Sequence, residues 1–244
     1  MQNKQPSRLE KALKLDYHSE KDDIWLTSQN TLRKLIGILG MGLPLLLFLV
    51  LLIDAHYATP LYSISHYYFT RACGVFLIIV SLLGIFLLIY KGKDPIDFYI
   101  STAAGLFALC LLIFPTYNIS NNCNEKDYLY SLTILHKSDF RPGLHLVSAA
   151  IFLSCLAFMS LFIFTRSDKS PKERGRPKRI RNRIYRTCGV IMIIALLVIV
   201  ANFAFHVFPG NFFSDHHLMF WMETLAVESF GISWLVKAEV ILKG

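Results

Sequence analysis

Five stretches of this chain run about the length of a bilayer span without one Asp, Glu, Lys or Arg: residues 35–53, 72–90, 98–124, 142–165 and 187–214. The apolar part of the third ends near Pro115, and a sixth stretch, 218–236, is broken only by Glu223 and Glu228. A helix needs roughly 20 apolar residues to cross a hydrocarbon core about 30 Å thick. Lipid offers backbone groups no partner, so each run must close its hydrogen bonds internally, as a helix. The chain has 244 residues, and 17% of them are charged, against about 25% in soluble domains. The expectation is an all-α polytopic membrane bundle of six transmembrane helices, at about 35–53, 72–90, 98–115, 143–165, 187–206 and 218–236. Residues 1–31 form an N-terminal segment before a transmembrane domain at 32–238.

Six spans place both termini on one side, and the basic residues say which. Twenty-one Lys and Arg fall in the N-terminal segment, the 91–93 turn, the 166–186 loop and the tail, against four (Arg71, Lys126, Lys137 and Arg141) on the other side. Positive residues stay cytoplasmic, so both termini are expected there. No short apolar core with a small-residue cleavage site precedes the first span, which is therefore expected to be retained as a signal anchor. Topology also accounts for the net charge of +8. The 166–186 loop is expected to meet anionic lipid headgroups or an acidic partner. It lacks interleaved aromatics and a fold of its own, so no nucleic-acid partner is expected.

Leu9, Leu13 and Ala12 share one helical face between lysines, a pattern suited to a helix lying on the membrane surface. Gly37, Gly40, Gly42 and Pro44 in the first span signal close packing or a kink. Small residues in spans three and four (Ser101, Ala104, Gly105, Ala108; Ser148, Ala149, Ala150, Ser154) signal the same close approach. Of the five cysteines, only Cys73 and Cys123 lie where an oxidising compartment could pair them, and a bridge is not expected. No span repeats another, which gives an inverted-repeat transporter no support.

Polar residues gather on the expected outer face. Seven of the eight histidines lie there (His56, His66, His136, His145, His206, His216 and His217), with Asp54, Asp139 and Asp215. Imidazoles and carboxylates are zinc ligands, which makes His66, His145, His206 and Asp215 candidates for a metal site. Against this, no H-E-x-x-H or paired-histidine spacing is present, and rings with a wet tip collect at interfaces for packing reasons alone. A histidine beside Ser63 or Ser65 would also serve as a general base for a nucleophile. Glu223 and Glu228 lie within the sixth span, where a carboxyl costs at least roughly 2.5 kcal/mol on insertion scales. Each therefore needs a partner or a cavity: Glu223 is expected to look toward His145 or His206, and Glu228 to be protonated or to pair with Asn202 or a serine.

The strings "LRKLIGILG" (32–40), "SISHYYFTR" (63–71), "YKGKD" (90–94), "AGLFALCLLIFPT" (104–116), "LHLVSAAIF" (144–152), "RNRIYRTCGV" (181–190) and "FWMETLAVESFGISWLVK" (220–237) resemble a family of uncharacterised bacterial six-span membrane proteins, similar to the broad DUF998 group. The resemblance covers residues 32–238 and implies a multi-pass protein of the bacterial inner membrane, but brings no established activity with it. Its pattern matches Ser63, Ser65, Tyr67, Tyr68, Thr70, Arg71, His145, Glu223 and Trp234. The chain departs from it after Arg71, where Ala72 and Cys73 stand in place of an acidic residue.

Three functional expectations follow. The first is a binding or transport protein whose outer vestibule, lined by Ser65, His66, Tyr68, Arg71, His145, His206 and Glu223, takes a lipid headgroup or small solute, with Arg71 matched to phosphate geometry. The second is a lipid hydrolase built on His145, Glu223 and Ser65, with or without zinc. The third is a non-catalytic membrane scaffold working through its basic loop.

Overall fold

The computed structural model describes residues 29–92, 94–119, 131–167 and 175–242. The surface helix expected around Leu9–Leu13, the whole of the 1–28 segment, Cys123 and Lys126 lie outside the described residues. So do 168–174 of the basic loop.

Six long helices make up the fold: α1 Gln29–Asp54, α2 Cys73–Ile89, α3 Pro95–Ile113, α4 Phe140–Phe158, α5 Arg176–Phe205 and α6 Leu218–Lys237. The last turns of α4 widen into a π-helix, Met159–Ile163. A 3-10 helix, Ile64–Phe69, joins α1 to α2, and a single helical turn, Phe212–Asp215, precedes α6. No strand forms among the described residues beyond an isolated Thr70–Ser131 bridge.

The protein is all-helical, and four of its helical segments are long and apolar enough to cross a membrane: Gln29–Asp54, Pro95–Ile113, Phe140–Ile163 and Arg176–Phe205. α2 is equally apolar but has 17 residues. α6 carries its two glutamates over 20 residues. Beyond the Arg- and Lys-rich start of α5, large apolar side chains crowd the outward faces of the helices. Ile38 and Leu45 on α1, Ile78 and Ile85 on α2, Leu106 on α3, Val147 on α4, Ile194 and Leu197 on α5, and Trp221 and Leu225 on α6 are all exposed. Water penalises such a surface and lipid does not, which suits helices that cross a membrane.

Successive helices pack side by side, and α6 closes on α1 to complete a ring of six. Where backbones must meet, glycine supplies the space. A Cβ on Gly231 of α6 would lie 2.9 Å from both the carbonyl oxygen of Gly37 and the amide nitrogen of Met41 on α1. A Cβ on Gly105 of α3 would lie 2.6 Å from the Gly84 carbonyl oxygen on α2. Where the π-turn meets α5 the Leu161 side chain occupies the space a Gly189 side chain would take. Ser160 of the π-turn donates to the Tyr185 carbonyl at 2.8 Å and meets Ser233 Oγ of α6 at 2.7 Å.

Of the alternatives expected for the first span, close packing is what α1 shows, at Gly37 and Gly40 against α6, and α1 continues as one helix through Pro44. α5 begins at Arg176, eleven residues before the expected span, so the second half of the 166–186 loop is helix. Pro177 opens that helix where its missing N–H costs nothing, and the Arg- and Lys-rich run that follows contains no breaker. Arg71, lacking an acidic successor, pairs instead with Asp54 at the end of α1, 3.1 Å away, with both side chains about half exposed.

Candidate functional site

"SISHYYFTR" becomes a plug. Ser63 is extended and the next six residues form the 3-10 helix, which tucks into one end of the ring with Ile64, Tyr67, Phe69 and Thr70 buried. It is pinned on three sides. Leu132 N–H donates to the Phe69 carbonyl at 2.7 Å. Thr70 Oγ1 donates to the Tyr67 carbonyl at 2.9 Å and accepts from Ala72 N–H at 3.2 Å, capping the entry to α2. The third pin comes from α6, where Glu223 Oε2 accepts the Ile64 N–H at 2.6 Å. This bond gives the Glu223 carboxyl, 8% exposed, the partner a buried carboxyl demands. The partner is neither His145 nor His206.

A second polar link sits beside it. His145, on the first turns of α4, places Nε2 2.9 Å from Ser65 Oγ and Nδ1 2.8 Å from the Phe114 carbonyl oxygen. A carbonyl can only accept, so Nδ1 carries the proton, and in the neutral ring Nε2 accepts the Ser65 hydroxyl. Ser63 Oγ and His66 Nδ1 hydrogen-bond at 2.6 Å. Burial, with the His145 ring nearby, pushes His66 down to about 4, so at neutral pH it carries no charge.

Two apolar spaces meet at Glu223. One is a small cavity of about 60 Å³ in the middle of the ring, directly under the plug, where Ser65 and Glu223 are the polar residues among Leu, Ile, Val and Phe walls. The other is a groove of about 350 Å³ between α4 and α5. Leu146, Ala150 and Leu153 line it on one side and Ile199, Val200 and Phe203 on the other, with Met219 and Glu223 of α6 at its floor. The seam that Leu161 closes against Gly189 beside the π-turn is open here, toward the plug end. Ala149 and Leu153 border both spaces.

Of the residues expected to share a site, the structure brings together Ser65, His145 and Glu223, with His66 next to them. Tyr68 packs its ring on Phe69 and Phe76 at the plug's edge. Arg71 is outside, on Asp54. His206 is exposed at the end of α5 and bonds the Asn202 carbonyl of its own helix, and Asp215 is exposed on the Phe212–Asp215 turn. Among the described residues, no three His, Cys, Asp or Glu side chains come together as a metal set. His56, His206 and His217 share another property: each has φ near +50°, a left-handed backbone that histidine tolerates better than most residues. Their place at helix ends is thereby accounted for by chain reversal. Trp234 sits far from the plug, in a ring cluster with Tyr90, Phe164 and Phe230.

The sequence reading missed the Phe114 carbonyl and the Ile64 amide. Both are main-chain groups, and no residue type announces them. Comparison of the chain with known protein families, with curated proteins and with solved structures finds no match.

Proposed function

We propose that this is a six-span protein of the bacterial inner membrane, both termini cytoplasmic, that binds a lipid-like ligand through its side. The acyl part lies in the α4–α5 groove and the polar end reaches Glu223, with Ser65 and His145 behind it. Apolar outward faces on α2 and α6 as well as on the four longer segments, and the 21-to-4 distribution of basic residues, support the six-span reading. The observation that carries the ligand is the position of Glu223: a buried carboxyl at the meeting point of an otherwise apolar groove and an apolar cavity. Ligand sites are mostly apolar with a few convergent polar groups, at volumes of roughly 300–1,000 Å³. Because the plug fills the outer mouth, a lateral route from the bilayer is favoured over a wet vestibule.

The reading is tested by native mass spectrometry of gently extracted protein. An acyl-bearing adduct is expected on the wild type and is expected to be lost on the folded Ala150→Trp variant, which fills the groove without touching the polar cluster. Retention of the same adduct by that variant would count against the groove.

A second reading, a serine hydrolase for lipid esters, is favoured by the Ser65–His145–Phe114 geometry, in which the base is oriented and its tautomer set. Its weakness is the supply of oxyanion donors beside Ser65. Acyl transfer needs N–H donors aimed at the developing charge, and the adjacent Ile64 N–H is already spent on Glu223. A fluorophosphonate probe that labels Ser65 in the wild type, and not in His145→Ala, would move this reading ahead. No labelling would end it.

A further inference from the structure

The plug satisfies only half of the Glu223 carboxyl. Oε2 accepts the Ile64 N–H at 2.6 Å, while Oε1 meets no protein donor among the described residues, and no Lys or Arg among them pairs with it. The side chain is 8% exposed and lines both the small cavity under the plug and the α4–α5 groove. A buried carboxyl ordinarily finds a cation or several N–H donors, because its charged form is costly in apolar surroundings. Here a single backbone amide is what the protein supplies.

The neighbouring polar groups have already committed their protons. The Ser65 hydroxyl donates to His145 Nε2 at 2.9 Å, and His145 Nδ1–H donates to the Phe114 carbonyl at 2.8 Å. The Ile64 N–H is spent on Glu223. What faces the two spaces is therefore acceptor capacity: Glu223 Oε1 and the lone pairs of Ser65 Oγ. The surrounding walls are apolar, with Phe76 and Leu83 in the cavity and Leu196 and Phe203 in the groove. Arg71, whose guanidinium would suit a phosphate, is held outside by Asp54, 3.1 Å away. An anionic head would meet a carboxyl and lone pairs with no cation to offset them. A head with N–H donors and a positive charge would fill both open acceptors.

Granted the groove reading above, on which this rests, we infer that the polar end of the ligand is an ammonium group. Glu223 is its counter-charge and Ser65 Oγ its second acceptor. Charge-assisted N–H···O bonds are the strong ones, and in a dry site solvent weakens the ammonium–carboxylate attraction little. The cavity under the plug, about 60 Å³, is roomy enough for a few water-sized groups, which suits an ammonium, and the alkyl part stays in the groove. An alcohol or a protonated carboxylic acid offers a donor without the charge and binds more weakly. An alkyl phosphate offers charge of the wrong sign. The ammonium belongs either to a free amphiphilic amine or to phosphatidylethanolamine, whose phosphate would have to stay at the mouth of the groove.

The test uses the full chain in phosphatidylcholine nanodiscs and reads binding as thermal stabilisation on titration. Dodecylamine, dodecanol and dodecyl phosphate share one chain and differ in the head; a parallel set of discs carries phosphatidylethanolamine. The amine is expected to bind about tenfold or more tightly than the alcohol, and the phosphate more weakly than either. Stabilisation by dodecylamine identifies a free amine as the source; stabilisation only in the phosphatidylethanolamine discs identifies the lipid. Glu223→Gln keeps an oxygen for the Ile64 N–H and loses the charge, so in either case the preference for the ammonium head should fall about tenfold or more. Asp54→Asn, which removes an exposed carboxylate at the same end, should leave it unchanged. The probe series on the wild type keeps the test decisive if Glu223→Gln fails to fold. Equal affinity for the three heads, or a preference for the phosphate, lost in Ala150→Trp, would overturn the ammonium and leave the groove standing. No binding in either disc, or binding that Ala150→Trp does not touch, would overturn both. A preference for the amine that survives Glu223→Gln, or that Asp54→Asn removes as well, would assign it to surface charge and overturn the inference.

Discussion

Gly231→Ala is a one-methyl change whose sign the structure decides. In an isolated helix it should help, because alanine is favoured over glycine by about 1 kcal/mol. At the α1–α6 crossing the new Cβ would lie 2.5 Å from Met41 Cγ and 2.9 Å from two backbone atoms, the Gly37 oxygen and the Met41 nitrogen. Met41 can rotate away, but the backbone atoms cannot. Restoring ordinary contact means parting the two helices by about 0.5 Å, which forfeits roughly a quarter of the dispersion along the seam. Overpacking of this kind costs about 1–3 kcal/mol, so after the propensity gain a net loss of up to about 2 kcal/mol is expected. Gly42→Ala, on α1, is the matched control. Its Cβ would meet only Leu46 Cδ1, at 3.6 Å, and propensity alone should stabilise it by about 0.5–1 kcal/mol. Reversible unfolding in mixed micelles of detergent and SDS measures both variants. Two glycine-to-alanine changes of equal effect, or a stabilised Gly231→Ala, would refute the close α1–α6 crossing and with it the placing of Glu223 under the plug.

Further outcomes can be checked with the same preparations. His66 has a folded pKa depressed from 6.5 to about 4, so the unfolded chain takes up its proton first as the pH drops. Its contribution to stability is full above about 6.5, shrinks as the pH falls and is gone near 4. Melting temperature should therefore decline across that window, with a shallower slope in His66→Gln. Arg71→Ala should cost less than about 1 kcal/mol, because its bridge to Asp54 is exposed; a larger loss would give Arg71 a role the structure does not assign. Ser160→Ala removes the donor to the Tyr185 carbonyl and the contact to Ser233. A loss of about 0.5–1.5 kcal/mol is expected in the same micelle assay, and no change would mean the π-turn is held by packing alone.

Much of the frame was legible because lipid imposes a simple rule: a run without charge must be a helix. That rule finds the middle of each helix and misses its ends. α5 extends back to Arg176 because basic residues are good helix formers, and charge counting reads them only as topology. Glu223 stood out through the cost of a carboxyl in a span, and His145 and Ser65 through their residue types. Their meeting depends on the 3-10 plug, which is held by Glu223 and Leu132 from distant parts of the chain as well as by its own Thr70, and no local pattern marks it. "SISHYYFTR" could be read as an aromatic rim or a site because both use the same residues; burial of Tyr67 and Phe69 makes it a closure.

The account turns on whether an acyl chain occupies the groove that ends at Glu223. Native membranes carrying the protein would be loaded with a photoreactive fatty acid, irradiated, and the labelled residues mapped by peptide mass spectrometry. Labels concentrated on Leu146–Leu153 of α4 and Leu196–Ala204 of α5, and removed by Ala150→Trp, are the predicted result. Labels spread evenly over the exposed apolar faces of all six helices, and unchanged in that variant, would contradict it.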